Sequence, residues 1–495
     1  MIVPPLSKSR FLAGLQCPLR LWHASYEPDL ASPLSPSQKA LFSMGHRVGE
    51  LARGRYPGGV LIKEQHFRHD DAVRSTIEAL GRSDVPAIYE GAFTFDEIRI
   101  RVDVLERSGD KSWNLIEVKS GTSVKEENVY DAALQYYVLD GVGLAVNRAG
   151  VLHLNRDYLY DGEKLDLTAL FQFEDLGERL VQMQGDISEK IQDLKAMLEQ
   201  KTPPAINASK HCRKPYRCEF LDHCKKSLPD HWIQELWGLR QDQIDELAMM
   251  EIVDIRDIPE TLEMSALQRR IRGCVIRNAE HVDVGLGSAL KNYDYPIHFL
   301  DFETVAPAIP RYANTHPFQM LPFQWSDHIL SEDGTLTHQA YLCGEDKDPR
   351  EEVAQTLLEA LGEVGSICTY SNYENQVISE LGDFLPAYRD RLKALLGRCR
   401  DLHTEIRKGY YHPEFHGSFS IKEVLPALVP AMSYAGLTVQ EGAQAGFEYL
   451  RMIDPDTQPA ERERIRRDLL EYSRQDTLAM VRIRDELLKR SEGLL

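Results

Sequence analysis

The chain has 495 residues, a formal net charge of −19, 43% hydrophobic and 27% charged residues. That length exceeds what one core supports, so two or three domains are expected, and the acidic balance excludes a protein that coats nucleic acid with uniform basic charge. No apolar run approaches a membrane span and no signal-peptide core opens the chain, so a cytoplasmic location without membrane contact is expected, with the eight cysteines as reduced thiols or metal ligands.

A first domain is expected over residues 1–226. Leu6 to Pro18 reads as a helix with Ser7 or Ser9 at its N-cap, and Pro18 ends the pattern, leaving Cys17 at a helix end. Met44 to Glu50 places His46 in a helical stretch. Ile98 to Leu105 alternates as a strand bearing Asp103, and Asn114 to Gly121 is a second strand with Glu117 and Lys119 on one face. Ser108 to Lys111 supplies the turn between them. Two carboxylates and an ammonium at one sheet edge suit a metal-activated water, with the lysine orienting it or offsetting charge on a scissile phosphate. Taken alone, Glu117 and Lys119 are equally a surface salt bridge. Gln135 follows on a helix.

Cys212, Cys218 and Cys224 come next, evenly spaced among cationic side chains. With Cys17 they make four thiolates, enough for an iron–sulfur cluster or a structural zinc. Zinc more often takes cysteine pairs two to four residues apart, so this spacing favours iron–sulfur. In this order, the early cysteine, Gly-His, Asp, Glu-x-Lys, Gln-Tyr helix and late cysteine triple resemble the RecB-like branch of the PD-(D/E)XK nucleases, in particular the CRISPR-associated RecB-like exonucleases. The resemblance implies an α/β restriction-endonuclease-like fold and Mg²⁺ or Mn²⁺ on His46, Asp103 and Glu117. It further implies a catalytic Lys119, a substrate-positioning Gln135, and a [4Fe–4S] cluster on Cys17, Cys212, Cys218 and Cys224.

Residues 227–295 read as a helical connector. Trp232 to Arg240 and Asp242 to Met249 are two short helices, and a longer amphipathic one runs from Ser265 to about Ala279. Their order loosely resembles a helix–hairpin–helix unit, yet no Gly-rich hairpin is present, and a spacer is the better description.

The last domain is expected over residues 296–495. Ile297 to Val305 is a short apolar strand on which Asp301 and Glu303 share a face, an arrangement that calls for a cation between the two carboxylates. Strands follow within Phe318–Leu330 and Thr335–Leu342, and a helix within Glu351–Leu361. Glu374 stands after the strand that opens at Ser366, where ligands collect in α/β sheets, although a first-turn acid also suits the helix dipole. Asp401 is another acid before a helix. Lys422, after the Gly417 loop, is expected to be solvated, with phosphate contact as the alternative. Tyr472 and Asp476 are four apart on a helix and share a face, a pattern also common on helix surfaces.

Asp-x-Glu on a first strand, an acid after a middle strand and Tyr-x-x-x-Asp on a late helix resemble the DEDD exonucleases of the RNase H-like fold. The resemblance implies that Asp301, Glu303, Glu374 and Asp476 bind two metals roughly 4 Å apart, with Tyr472 orienting the attacking water. The family usually has Asp where Glu374 stands, which keeps Asp401 open as that ligand. The whole chain resembles bacterial proteins that fuse these two modules. The expected function is metal-dependent phosphodiester hydrolysis at two separate centres, as an exonuclease on single-stranded DNA, with RNA open. The alternative is a nucleic-acid-binding or scaffold protein with one or both centres idle. No protein partner follows from the sequence.

Overall fold

A computed structural model describes residues 5–200 and 202–493. The chain is mixed α/β and forms two compact units, Met1–Ser227 with Pro307–Gln319 and Leu228–Ala306 with Met320–Leu495. The stretch expected as a separate connector therefore belongs, from Leu228 onward, to the second unit. Its Leu247, Ile258 and Ile271 are fully buried, which makes it part of a core rather than a solvated spacer.

The first unit is built on seven strands: β1 (Leu6–Ser7), β2 (Val60–Leu61), β3 (Ala87–Phe95), β4 (Ile98–Arg107), β5 (Ser112–Lys119), β6 (Ala145–Leu154) and β7 (Phe171–Asp175). They are ordered β2-β3-β4-β5-β6-β7, with β1 pairing in parallel on β4. β3, β4 and β5 form an antiparallel meander, and Val104 of β4 pairs with Ile116 of β5. β5 and β6 are parallel, and the helix Glu126–Gly141 makes the crossover such a pair requires. The middle of that helix is apolar nearly all round (Val129, Ala132, Leu134, Val138), so it lies in the core and takes Asn128, Asp131 and Gln135 in with it.

The second unit has strands β8 (His281–Val282), β9 (Ile297–Val305), β10 (Leu321–Leu330), β11 (Leu336–Leu342), β12 (Ile367–Thr369), β13 (Cys399–Asp401) and β14 (Tyr410–Tyr411). The main sheet runs β11-β10-β9-β12-β13; its first two pairings are antiparallel and its last two parallel. β8 and β14 pair apart from it. Leu300 and Phe302 on β9 pack into a core with Val353, Leu357, Val377 and Ile378 of the helices Arg350–Leu361 and Tyr373–Phe384. Strand alternation then turns Asp301 and Glu303 to the opposite face. There the helices Gly442–Met452 and Pro459–Glu492 lie against β9. The close approach of the first depends on Gly446, where a Cβ would stand 3.0 Å from the Thr304 carbonyl oxygen. Among the described residues, no helix is long and apolar enough to cross a membrane.

Candidate metal centres

In the second unit, Asp301, Glu303 and Asp476 bring their carboxylate oxygens within 4.8 Å of one another. Asp476 reaches this group because the helix Pro459–Glu492 buries one stripe, Leu469, Tyr472, Ser473, Asp476, Thr477 and Met480, at helical spacing. Glu374, in the first turn of Tyr373–Phe384, is buried and close enough to raise Asp301 electrostatically. Among the described residues, Asp301 Oδ2 and Glu374 Oε2 are buried with no hydrogen-bond partner. Asp401 is engaged elsewhere: it caps the helix Leu402–Gly409, accepting from the Thr404 N–H at 3.3 Å and the Thr404 hydroxyl at 2.5 Å. Of the two acids left open by the sequence, Glu374 is the one with an uncommitted buried oxygen.

The electrostatics of this cluster are unfavourable as it stands. Burial, and then the charges of Asp476 and Glu303, push Asp301 well above the usual carboxylate range. Burial and Asp476 do the same to Glu303. Burial raises Glu374 to about 8 and Asp476 to about 6, the latter against the opposing pull of Tyr434, Lys422 and Tyr472. Three buried acids and the half-buried Asp301, with so little compensation, form a site that a hard divalent cation would relieve. The donor set, oxygen only, fits Mg²⁺ or Mn²⁺.

Tyr434, in an irregular segment that the sequence did not single out, donates to Asp476 Oδ1 at 2.5 Å. Tyr472, one helical turn before Asp476, also favours the ionised form of that carboxylate. Lys422 is half-buried rather than solvated, which corrects the expectation for it. Its Nζ lies 5.6 Å and 5.7 Å from the ring centroids of Tyr434 and Tyr472, and its charge lowers Glu303 and Asp476.

In the first unit, β4 and β5 bring Asp103 beside Glu117, and Asp103 Oδ2 accepts the Val118 N–H at 2.7 Å. Glu117 is almost fully buried. Its Oε1 accepts from Lys119 Nζ at 2.7 Å and from Lys8 Nζ at 2.8 Å, and its Oε2 accepts from Gln135 Nε2 at 2.8 Å. Asp131, one helical turn before Gln135, takes Lys119 Nζ at 2.6 Å and Lys8 Nζ at 3.4 Å. Burial alone would raise Glu117, but the ammoniums of Lys119 and Lys8 hold it well below the usual range. Burial and the Glu117 charge push Asp103 up to about 8 and also raise Asp131. Burial works against the Lys119 charge, yet Asp131 and Glu117 keep that amine well above its ordinary range. Lys8 and Asp131 were not singled out in the sequence.

His46 does not join this group. It is exposed on the helix Pro36–Arg53, which turns Val48 and Ala52 into the core, and a residue two positions before Val48 points the other way. Among the described residues, His46, Asp103 and Glu117 do not meet within 4.8 Å, a correction to the expected ligand set.

The four cysteines are all free. Cys17 sits between the helices Lys8–Gln16 and Pro18–Tyr26, where Pro18 starts the second rather than ending the pattern. Gln16 Nε2 donates to the carbonyls of His211 at 2.6 Å and Tyr216 at 2.7 Å, which ties this corner to the later cysteines. Cys218 N–H donates to the Cys212 carbonyl at 2.8 Å, and Cys17 and Cys224 both feel Cys212 electrostatically. Burial raises the thiols of Cys17 and Cys224 and takes Cys218 to about 11, so a metal centre would have to displace their protons. A tetrahedral zinc with Zn–S near 2.3 Å needs sulfurs roughly 3.8 Å apart. Among the described residues, no three of these sulfurs lie within 4.8 Å.

A family model described as a domain of unknown function, DUF2779, matches residues 298–420. The match takes in Asp301, Glu303 and Glu374 and stops before Lys422, Tyr472 and Asp476. No curated protein and no solved structure matches the chain at a significant level.

Proposed function

We propose that the protein is a metal-dependent nuclease of the cytoplasm, hydrolysing phosphodiester bonds from the ends of single-stranded DNA, with its stronger centre in the second unit. The observation that carries this reading is the meeting of Asp301, Glu303 and Asp476 from a strand and a helix far apart in sequence. The order of acids, Asp-x-Glu on the central strand, Glu374 after β12 and Tyr472 with Asp476 on the last helix, supports an RNase H-like DEDD module. Asp301, Glu303, Glu374 and Asp476 would hold Mg²⁺ or Mn²⁺, which supply an activated water and neutralise charge at the phosphate when bound. Tyr472, buried with Asp476 on one face of the helix, would orient the attacking water. Lys422 would add a positive charge at the rim of the site.

The first unit supports a RecB-like PD-(D/E)XK reading through Asp103, Glu117, Lys119 and Gln135. Cys17, Cys212, Cys218 and Cys224 would hold a [4Fe–4S] cluster that pins the ends of that unit together. One observation favours an idle or gated centre here. Both oxygens of Glu117 already accept from Lys8, Lys119 or Gln135, so a metal would compete with the Lys8 ammonium. A scaffold role for this centre, gripping nucleic acid without cleaving it, is the second reading.

Degradation of end-labelled single-stranded DNA and RNA tests the proposal. Loss of label with Mg²⁺ or Mn²⁺, abolished by chelation and strongly reduced by Asp301→Asn, is the expected result. Equal degradation by wild type and variant would overturn it.

A further inference from the structure

Away from the carboxylate cluster, the second unit gathers a chemically different set of groups. His231, Glu235 and His416 place ligand atoms within 4.8 Å of one another. His416 Nδ1 lies 3.3 Å from Glu235 Oε2 and its Nε2 lies 3.7 Å from Glu414 Oε2. The imidazoles of His231 and His416 face each other, 5.6 Å between centroids and 25° between planes.

The backbone holds these residues in place. The His231 carbonyl accepts the Ile255 N–H at 2.9 Å, and the Glu235 N–H donates to the Trp232 carbonyl at 2.8 Å. His416 and Gly417 both take left-handed φ angles, 45° and 75°. A Cβ at Gly417 would run into the Glu235 carbonyl oxygen, so only glycine lets this loop press onto the other segment. The two segments are 181 positions apart between Glu235 and His416.

We infer that His231, Glu235 and His416 form a binding site for a divalent transition metal of the zinc class. Two imidazoles and one carboxylate are a borderline donor set, which takes Zn²⁺, Co²⁺ or Ni²⁺ in preference to Mg²⁺. Ligand atoms of a tetrahedral zinc with bonds near 2.05 Å stand roughly 3.3 Å apart, the separation found between His416 and Glu235. Glu414, 3.7 Å from the other ring nitrogen of His416, sets a second negative charge beside that imidazole. The fourth position is open to water. Such an ion clasps the start of this unit to the loop after β14, holding two distant segments together much as a cross-link does. It is separate in chemistry from the all-oxygen cluster around Asp301.

The test compares full-length wild type, the His231→Gln/His416→Gln variant and Asp301→Asn, each equilibrated with excess zinc and desalted. Elemental analysis should show one zinc per chain fewer in the histidine variant and no such loss in Asp301→Asn. The cysteines are identical in all three, so the difference isolates this site. Equal zinc in all three overturns the inference, as an imidazole sandwiched between two carboxylates without metal would give. A second measurement needs no variant: carbethoxylation of histidines, mapped by peptide mass on the wild type. Zinc, but not magnesium, should protect His231 and His416, and equal labelling with and without zinc overturns the inference.

Discussion

The Tyr434 hydroxyl donates a 2.5 Å hydrogen bond to Asp476 Oδ1 across 42 positions of chain. Tyr472, one helical turn before Asp476, also favours the ionised form of that carboxylate. The two tyrosines therefore share an acid while differing in what they do for it, and this separates their variants. Tyr472→Phe is expected to slow cleavage by roughly 10- to 100-fold, the worth of a hydrogen bond to a charged group, with Mn²⁺ affinity unchanged. Tyr434→Phe is expected to weaken Mn²⁺ binding and, at saturating metal, to leave the rate near wild type. Steady-state kinetics across a Mn²⁺ titration checks both.

Removing metal should make stability fall with rising pH. In the folded chain burial lifts Glu374 from 4.5 to about 8 and Asp476 from 3.8 to about 6. Below both unfolded values every carboxyl is protonated in either state, and these groups contribute nothing. As pH climbs from about 4 to about 8 the unfolded chain releases these protons first, so folding is penalised, and the penalty levels off above 8. At face value the two shifts sum to on the order of 8 kcal/mol, an upper bound. Denaturant melts of chelated protein should show midpoints declining over that window, and Glu374→Gln should flatten the decline.

In the first unit, Lys8 occupies the face of Glu117 and Asp131 that a cation would use, at 2.8 Å and 3.4 Å. Lys8→Ala is expected to raise the Mn²⁺ affinity of that centre by roughly tenfold, about 1.4 kcal/mol. Lys119→Ala in the same background should abolish whatever cleavage is gained. Calorimetric titration in an Asp301→Asn background, which silences the other centre, reads the change.

The cysteines predict colour. Anaerobically purified protein should absorb broadly near 400 nm and carry about four irons per chain, and Cys218→Ser should lose both together with much of the first unit's stability. Colourless protein holding one zinc at these positions would assign a structural zinc instead.

Local patterns carried much of this architecture. The Asp-x-Glu strand, the hairpin around Ser108 to Lys111 and the Tyr-x-x-x-Asp helix all lie where alternation or helical spacing places them. What escaped the sequence was brought in by tertiary packing. Tyr434 sits in an irregular stretch with no period to read, and Lys8 reaches Glu117 from 109 positions away. Asp131 left a signal that went unused: it stands four residues before Gln135, on the same face of a helix whose middle turns are mostly apolar. His46 misled for the opposite reason, because a histidine in a helical stretch gives no face until the buried neighbours, Val48 and Ala52, are known. The short helices of residues 228–295 gave no sign of the burial of Leu247, Ile258 and Ile271, which lie in the second unit.

Counting the Mn²⁺ ions held by the second unit's acids tests the account most directly. Titration of the full chain followed by electron paramagnetic resonance should show tight Mn²⁺ in wild type, and its loss in an Asp301→Asn/Glu303→Gln double variant that remains folded. Identical Mn²⁺ binding by the two proteins would contradict the account.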